Sequence, residues 1–213
     1  MESPNRMTQS AEKSAQLGKH DWLEAATQAL IQGGVEQVQI TALARQLNIT
    51  RGSFYWHFEN REALLDAVID HWQSRNTGVI LEALSTPQSL DQGLLALFAV
   101  WVDRQQFDPL LDQAVRDWGR RSDKVKHVLQ AEDDARVSAI ARFLTRFGFT
   151  ADQGFIRARV IYFTQLSFYA LGVNDPYANR LRYLDTYFQC FIGRDAEPAA
   201  KNAFAAQQLE LKQ

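Results

Sequence analysis

Apolar residues recur along this chain at three- and four-residue spacing, which predicts helices, and no stretch alternates convincingly as a strand would. Trp22, Ala26, Ala29 and Leu30 make one stripe of a helix over 19–32, and Gly33-Gly34 stops it. Leu43, Ala44 and Leu47 mark a short half-buried helix, and Phe54 and Phe58, one turn apart, mark the inner face of a second. Asn60 reads as an N-cap, and Leu64, Val68 and Trp72 run down one face of a longer helix from Arg61 to about Gly78. Further helices are predicted over Leu90–Phe107, Leu110–Trp118 and 122–147, then over Ala151–Leu171 and Asp175–Ile192, divided by Gly172 and Pro176. The fold class predicted is all-α, with about nine helices.

Between the two short helices stands Asn48, a residue that tolerates the left-handed backbone of a turn, and the apolar Ile49 must then point inward. Thr50 suits the N-cap of the second helix. That helix divides its side chains: Phe54 and Phe58 point one way, while Gly52, Tyr55 and Trp56 project from the other. Exposed Tyr and Trp around a glycine gain nothing for a monomeric helix. Glycine there costs about 1 kcal/mol relative to Ala, which a close approach to a phosphate backbone or a base edge in the major groove would offset. Arg51, Ser53, Tyr55 and His57 can all hydrogen-bond to DNA.

Leu43-Ala44, Asn48, Thr50, Gly52, Tyr55, Trp56, His57, Phe58, Asn60, Arg61, Leu64 and Leu65 together carry a further signal. In these residues the stretch from Ile40 to Leu65 resembles the helix-turn-helix of the TetR family of bacterial transcriptional regulators. The resemblance implies that Arg51, Gly52, Ser53 and Trp56 face bases and that Tyr55, His57 and Arg61 hold phosphates, with Thr50 at the cap. Where the family has Thr or Ser ahead of the first helix of the pair, this chain has Gln39, so Thr41 is expected to substitute as cap and phosphate contact. The implied architecture is a three-helix DNA-binding domain joined by a connecting helix to a helical effector-binding and dimerisation domain. The corresponding segments are a disordered arm at 1–15, the DNA-binding domain at 16–76, the effector and dimer domain at 77–193 and a flexible tail at 194–213.

Composition adjusts this picture in two places. The chain of 213 residues is 46% hydrophobic, ample for a core, and its net charge of −2 gives no global pull toward nucleic acid. Positive charge is only local: Arg45, Arg51 and Arg61 stand against Glu59 between Ile40 and Arg61. Affinity for DNA should therefore depend on two copies acting together. The single cysteine, Cys190, excludes an internal disulfide, and its apolar neighbours predict a buried thiol. With no signal-like start and no membrane-length apolar run, a cytoplasmic location and no membrane partner are expected.

No catalytic or metal constellation is visible. His20, His57, His71 and His127 lie far apart, and Glu132, Asp133 and Asp134 project in different directions from a helix. No cofactor and no enzymatic activity are expected. The last two predicted helices are apolar nearly all round, so a second copy should cover them, with Phe155, Phe163, Phe168, Leu184, Phe188 and Phe191 at a homodimer interface. Phe98, Trp101, Phe107 and Trp118, with Tyr162 and Gln165 as polar contacts, are the expected lining of an effector pocket for a small hydrophobic or aromatic molecule. The function expected is that of a ligand-responsive homodimeric regulator, a repressor, on a pseudo-palindromic double-stranded DNA operator. The alternatives are a DNA-binding regulator governed by a protein partner and, more remotely, a small all-α enzyme.

Overall fold

Each apolar stripe becomes the buried side of a helix in the computed structural model, which describes residues 18–173 and 176–210. The elements are α1 (Lys19–Gly33), a 3₁₀ turn (Val35–Gln37), α2 (Ile40–Leu47), α3 (Arg51–Phe54), α4 (Arg61–Trp72) and a π-helical turn (Gln73–Gly78). Then come α5 (Val79–Ser85), α6 (Leu90–Val102), α7 (Pro109–Gly119), α8 (Asp123–Arg146) and α9 (Ala151–Ala170). The chain ends in α10 (Tyr177–Arg182), α11 (Leu184–Ile192) and α12 (Pro198–Glu210). No strand occurs among the described residues. The predicted arm at 1–15 lies outside those residues.

Two compact units result. Unit 1 contains residues up to Ser74 together with Leu110–Leu129, and unit 2 contains Arg75–Pro109 and Gln130–Gln213. Chain order alone suggested a partition near 76, and the structure departs from that order at α7 and the first turns of α8. The physical reason is a stripe on α7: Leu111 and Val115, one turn apart, are fully buried beside Trp22, Leu64, Val68 and Trp72. Between them Asp112, also buried, accepts the Trp72 indole N–H at 2.9 Å and takes the Arg116 Nε–H at 2.8 Å. The buried carboxylate is thus paired, which removes most of the cost of its burial.

Local chemistry sets the helix ends in unit 1. Asn48 has φ 57° and ψ 45°, the left-handed turn expected of it, and Ile49 is buried behind it. The Asn60 side chain accepts the Ala63 N–H at 2.8 Å and starts α4. Two expected caps are corrected. Thr50 occupies the N-cap of α3 but its hydroxyl makes no capping bond, and α2 begins at Ile40 with Gln39 as N-cap, so Thr41 already lies inside the helix. Gln39 spends its amide on the Glu36 carbonyl instead.

Unit 2 is built on the long helices. Ile140, Phe143 and Leu144 of α8 pack with Leu97 of α6 and with Ala158, Ile161 and Tyr162 of α9. Gly93 makes room in this core, because a Cβ there would lie 2.0 Å from the Phe143 ring. Arg136 is fully buried: its Nε donates to the Thr77 hydroxyl at 2.8 Å and an Nη to the Tyr162 hydroxyl at 3.0 Å, while Tyr162 donates to Asp133 at 2.5 Å. Thr77 belongs to the π-helical turn, which replaces the last part of the predicted Arg61–Gly78 helix. Asn76, in the same turn, exchanges two hydrogen bonds with the backbone of Asp108.

The predicted helix Asp175–Ile192 breaks at Tyr183, and the expected flexible tail is a helix. Ala-rich composition favours that helix, and burial of Phe204 against Phe98, at 5.9 Å between ring centroids, anchors it. Arg194 clamps the buried Asp91 with two guanidinium nitrogens, and Asp91 also accepts the Glu197 N–H at 2.7 Å. The hydrogen bond to Asp91 holds the Arg194 guanidinium protonated beyond its ordinary range. Cys190, expected to be buried, is exposed, because its place on α11 turns away from buried Leu184, Phe188 and Ile192.

Candidate nucleic-acid interface and small-molecule cavity

The α2–turn–α3 element presents its two faces to different surroundings. Inward, Phe54 stacks near Phe58 and edge-on to Trp22 at 5.1 Å, closing the core behind the turn. Outward, Trp56 is 87% exposed and Tyr55 51% exposed. Arg51 donates to the Tyr55 hydroxyl at 3.1 Å and lies over its ring, so the two long side chains hold each other in place. Gly52 is exposed, and a Cβ there would meet only the Thr50 hydroxyl, at 3.8 Å. The chain's own packing therefore does not require glycine at this position.

Other predicted contacts are placed differently. Thr41 and Thr50 are exposed and His57 is half-buried. Ser53 is only 4% exposed and faces inward with Phe54, which removes it from the outward set. Arg61 donates its Nε to the Val38 carbonyl and an Nη to the Val35 carbonyl, both at 2.6 Å. It fastens α4 to the loop before α2, and only part of its guanidinium remains for another partner. Arg45, which the sequence reading left out of the site, is exposed on the last turn of α2.

In unit 2 a small cavity of about 40 Å³, partly continuous with solvent, is lined by Phe98, Trp101, Ile161, Gln165, Phe168 and Phe191 among others. It brings together three of the six expected pocket residues, Phe98, Trp101 and Gln165. Phe107 is instead buried, stacked on Tyr169 at 5.5 Å, and Tyr162 belongs to the Arg136 network. Trp118 is in unit 1, on a separate depression with Leu65, Ile69 and Val125. Arg180 and Tyr187 line the cavity too and were missed, since nothing in the sequence folds α10 and α11 back onto α9.

Of the expected interface residues, Phe155 and Phe163 stand exposed on α9, but Leu184 and Phe188 are buried in this chain's own core. Phe168 and Phe191 face the cavity. Ile156 and Val160, also exposed on α9, complete the stripe that the sequence reading left partial. Their i, i+4 spacing with Phe163 close by was a legible signal.

A helix-turn-helix with an exposed aromatic tip, in an all-α chain with a second helical unit, defines a class of protein that relatives make specific. Residues 23–68 match the model described as bacterial regulatory proteins, tetR family. The HTH-type transcriptional regulator TtgR of Pseudomonas putida is 33% identical over 64 residues, 30% of each chain. The tetracycline repressor protein class D of Escherichia coli is 35% identical over 54 residues, 25% of each chain. The chain thus aligns with no more than about 30% of the length of these curated relatives. Across nearly the whole chain the fold is similar to that of a transcriptional regulator from Aquifex aeolicus VF5, with TM-score 0.55, 14% identity and coverage of 92% of this chain and 99% of that one. A TetR-family structure from Mesorhizobium loti MAFF303099 gives TM-score 0.52 at 19% identity, covering 92% and 96%. Residues 23–68 thus match the tetR family of bacterial regulatory proteins, and the fold of the chain is similar to that of the two solved structures.

Proposed function

We propose that the protein is a homodimeric transcriptional repressor that binds a pseudo-palindromic DNA operator through α2, the Asn48 turn and α3. A small hydrophobic or aromatic effector, held in the unit 2 cavity, releases it. The observation that carries this reading is the tip of α3. Trp56 stands almost wholly in solvent beside Tyr55, Arg51 and an unencumbered Gly52, over a closed core. An indole so exposed gains from a partner surface, and the neighbouring hydroxyl, guanidinium and exposed threonines are donors suited to phosphates and base edges. The glycine leaves the backbone open to close approach.

Dimerisation supports the same reading from unit 2. Phe155, Ile156, Val160 and Phe163 form an exposed apolar stripe on one helix, which an isologous copy would cover. Two recognition elements then act together on one operator, which the chain's net charge of −2 makes necessary. An electrophoretic shift with the DNA flanking its own gene tests the proposal. A complex that withstands unrelated competitor DNA and weakens with salt is expected; no preference over unrelated DNA would sink it.

A further inference from the structure

We infer that the depression in unit 1 is a binding site for an amphipathic organic cation, one or two aromatic rings bearing an ammonium arm. It is separate from the unit 2 cavity and does not depend on the reading of that cavity as an effector site. The depression holds about 370 Å³, within the range of small-molecule sites. Its whole lining belongs to unit 1, and its apolar part comes from three helices: Leu65 and Ile69 of α4, Trp118 of α7, and Val125 and Val128 of α8. Leu65, Ile69 and Val125 are buried and Trp118 and Val128 half-buried, so these five make a floor. Because α4 follows directly on the helix-turn-helix, a ligand there touches the DNA-binding unit itself.

The rim selects the charge. Glu62, Asp66 and Asp70 follow one another at four-residue spacing along α4, and all three are exposed at the depression. Like charges one helical turn apart repel, so such a row is relieved by cations placed beside it. The lining supplies one, Lys124, whose Nζ reaches Asp66 at 2.5 Å and joins the start of α8 to α4. Glu62 meets an Nη of Arg61 only at 3.9 Å, and the remainder of that guanidinium serves the Val35 and Val38 carbonyls. Among the described residues nothing pairs with the Asp70 carboxylate. Three carboxylates against one ammonium leave the mouth of the depression anionic.

Floor and rim together define the ligand. A bare metal ion is a poor match, because no three His, Cys, Asp or Glu side chains converge as ligands among the described residues and the floor is apolar. A carboxylate would be repelled at the mouth, and a neutral hydrocarbon would leave the rim unpaired. A flat ring on the floor with its ammonium among the carboxylates satisfies both, and the Trp118 indole adds attraction for the cation. Since the carboxylates are exposed, salt should weaken their contribution.

The test is calorimetric titration of the full chain with 2-naphthylmethylammonium, beside 2-naphthylmethanol and 2-naphthoate. At about 20 mM salt the ammonium should bind with Kd on the order of 100 µM, about 10-fold tighter than the alcohol and tighter still than the carboxylate. At about 0.5 M salt the gap to the alcohol should close to about 3-fold. Glu62→Gln with Asp70→Asn should weaken the ammonium by about 10-fold and leave the alcohol within about 2-fold. Gln165→Leu, in the unit 2 cavity, should leave the ammonium unchanged, and unaltered helical circular dichroism shows that the variants are folded. An alcohol or carboxylate that binds as tightly as the ammonium, or an ammonium indifferent to the paired substitution, overturns the inference. Binding lost in Gln165→Leu overturns it too, as does an ammonium that gives no binding heat up to about 1 mM. None of these results alters the operator shift, which tests the DNA-binding reading by itself.

Discussion

The tip of α3 and the outer face of α9 both expose aromatic side chains, yet in opposite company. At α3, Trp56 and Tyr55 are surrounded by Arg51, Thr50 and Gly52, so the apolar area is small and rimmed by donors. On α9, Phe155, Ile156, Val160 and Phe163 form a row along the helix, interrupted chiefly by Arg159, whose guanidinium lies over the Phe155 and Phe163 rings. A small aromatic patch among donors suits a polar, anionic partner, whereas a longer, mostly apolar row suits another protein surface. The difference lies in the neighbours rather than in the aromatic residues themselves.

Substituting each face separately breaks the comparison most severely. Ile156→Glu with Phe163→Glu should halve the mass in light scattering and reduce operator affinity by about 1,000-fold, the gap between specific and non-specific binding. A dimer mass that survived would remove α9 from the interface. Trp56→Ala should leave the mass unchanged and weaken the operator complex by about 100-fold, or about 1.4 kcal/mol from each of two copies. Because Trp56 is exposed, its melting temperature should stay within about 2 °C of the parent, and unchanged operator affinity would refute the assignment of this face.

Smaller effects sharpen the same contrast. Arg61→Ala should lower unfolding free energy by about 2 kcal/mol in urea titration, because two buried-side carbonyls lose a charged donor. A loss of operator affinity with full stability would restore Arg61 to the phosphate-contacting role. Arg194→Ala should act locally, speeding limited proteolysis within α12 with little change in operator binding; cleavage elsewhere first would show that α12 does not depend on this clamp.

How far the fold could be read from sequence depends on the span of the interactions involved. Helix starts and stops set by one residue and its near neighbours were legible: Asn48 takes the left-handed turn and Asn60 caps α4. The burial of Phe54 and Phe58 followed from their spacing alone. What escaped was long-range pairing. Asp91 and Arg194 lie 103 residues apart, so a polar, Ala-rich tail gave no sign of its anchor. Trp118 looked like a pocket residue because α7 was read as part of the neighbouring apolar helices, while Leu111, Val115 and the Trp72–Asp112 bond bind α7 into unit 1. At the site, the outward Tyr55 and Trp56 were legible from helical spacing, whereas the burial of Ser53 was not, because its base-facing role came only from the family resemblance.

The interleaving of unit 1 has a consequence for how the protein comes off the ribosome. Synthesis proceeds from the N-terminus, and a domain can close only when its last contributing segment has emerged. The helix-turn-helix is complete by Phe58, but Leu111, Val115 and Val125 of its core arrive only after Arg75–Pro109 of unit 2 has been made. Unit 2 in turn waits for Phe204. A chain stalled before α7 would therefore expose Trp72 and the apolar face of α4, and the helix-turn-helix gains its full supporting core only after synthesis has passed Leu129.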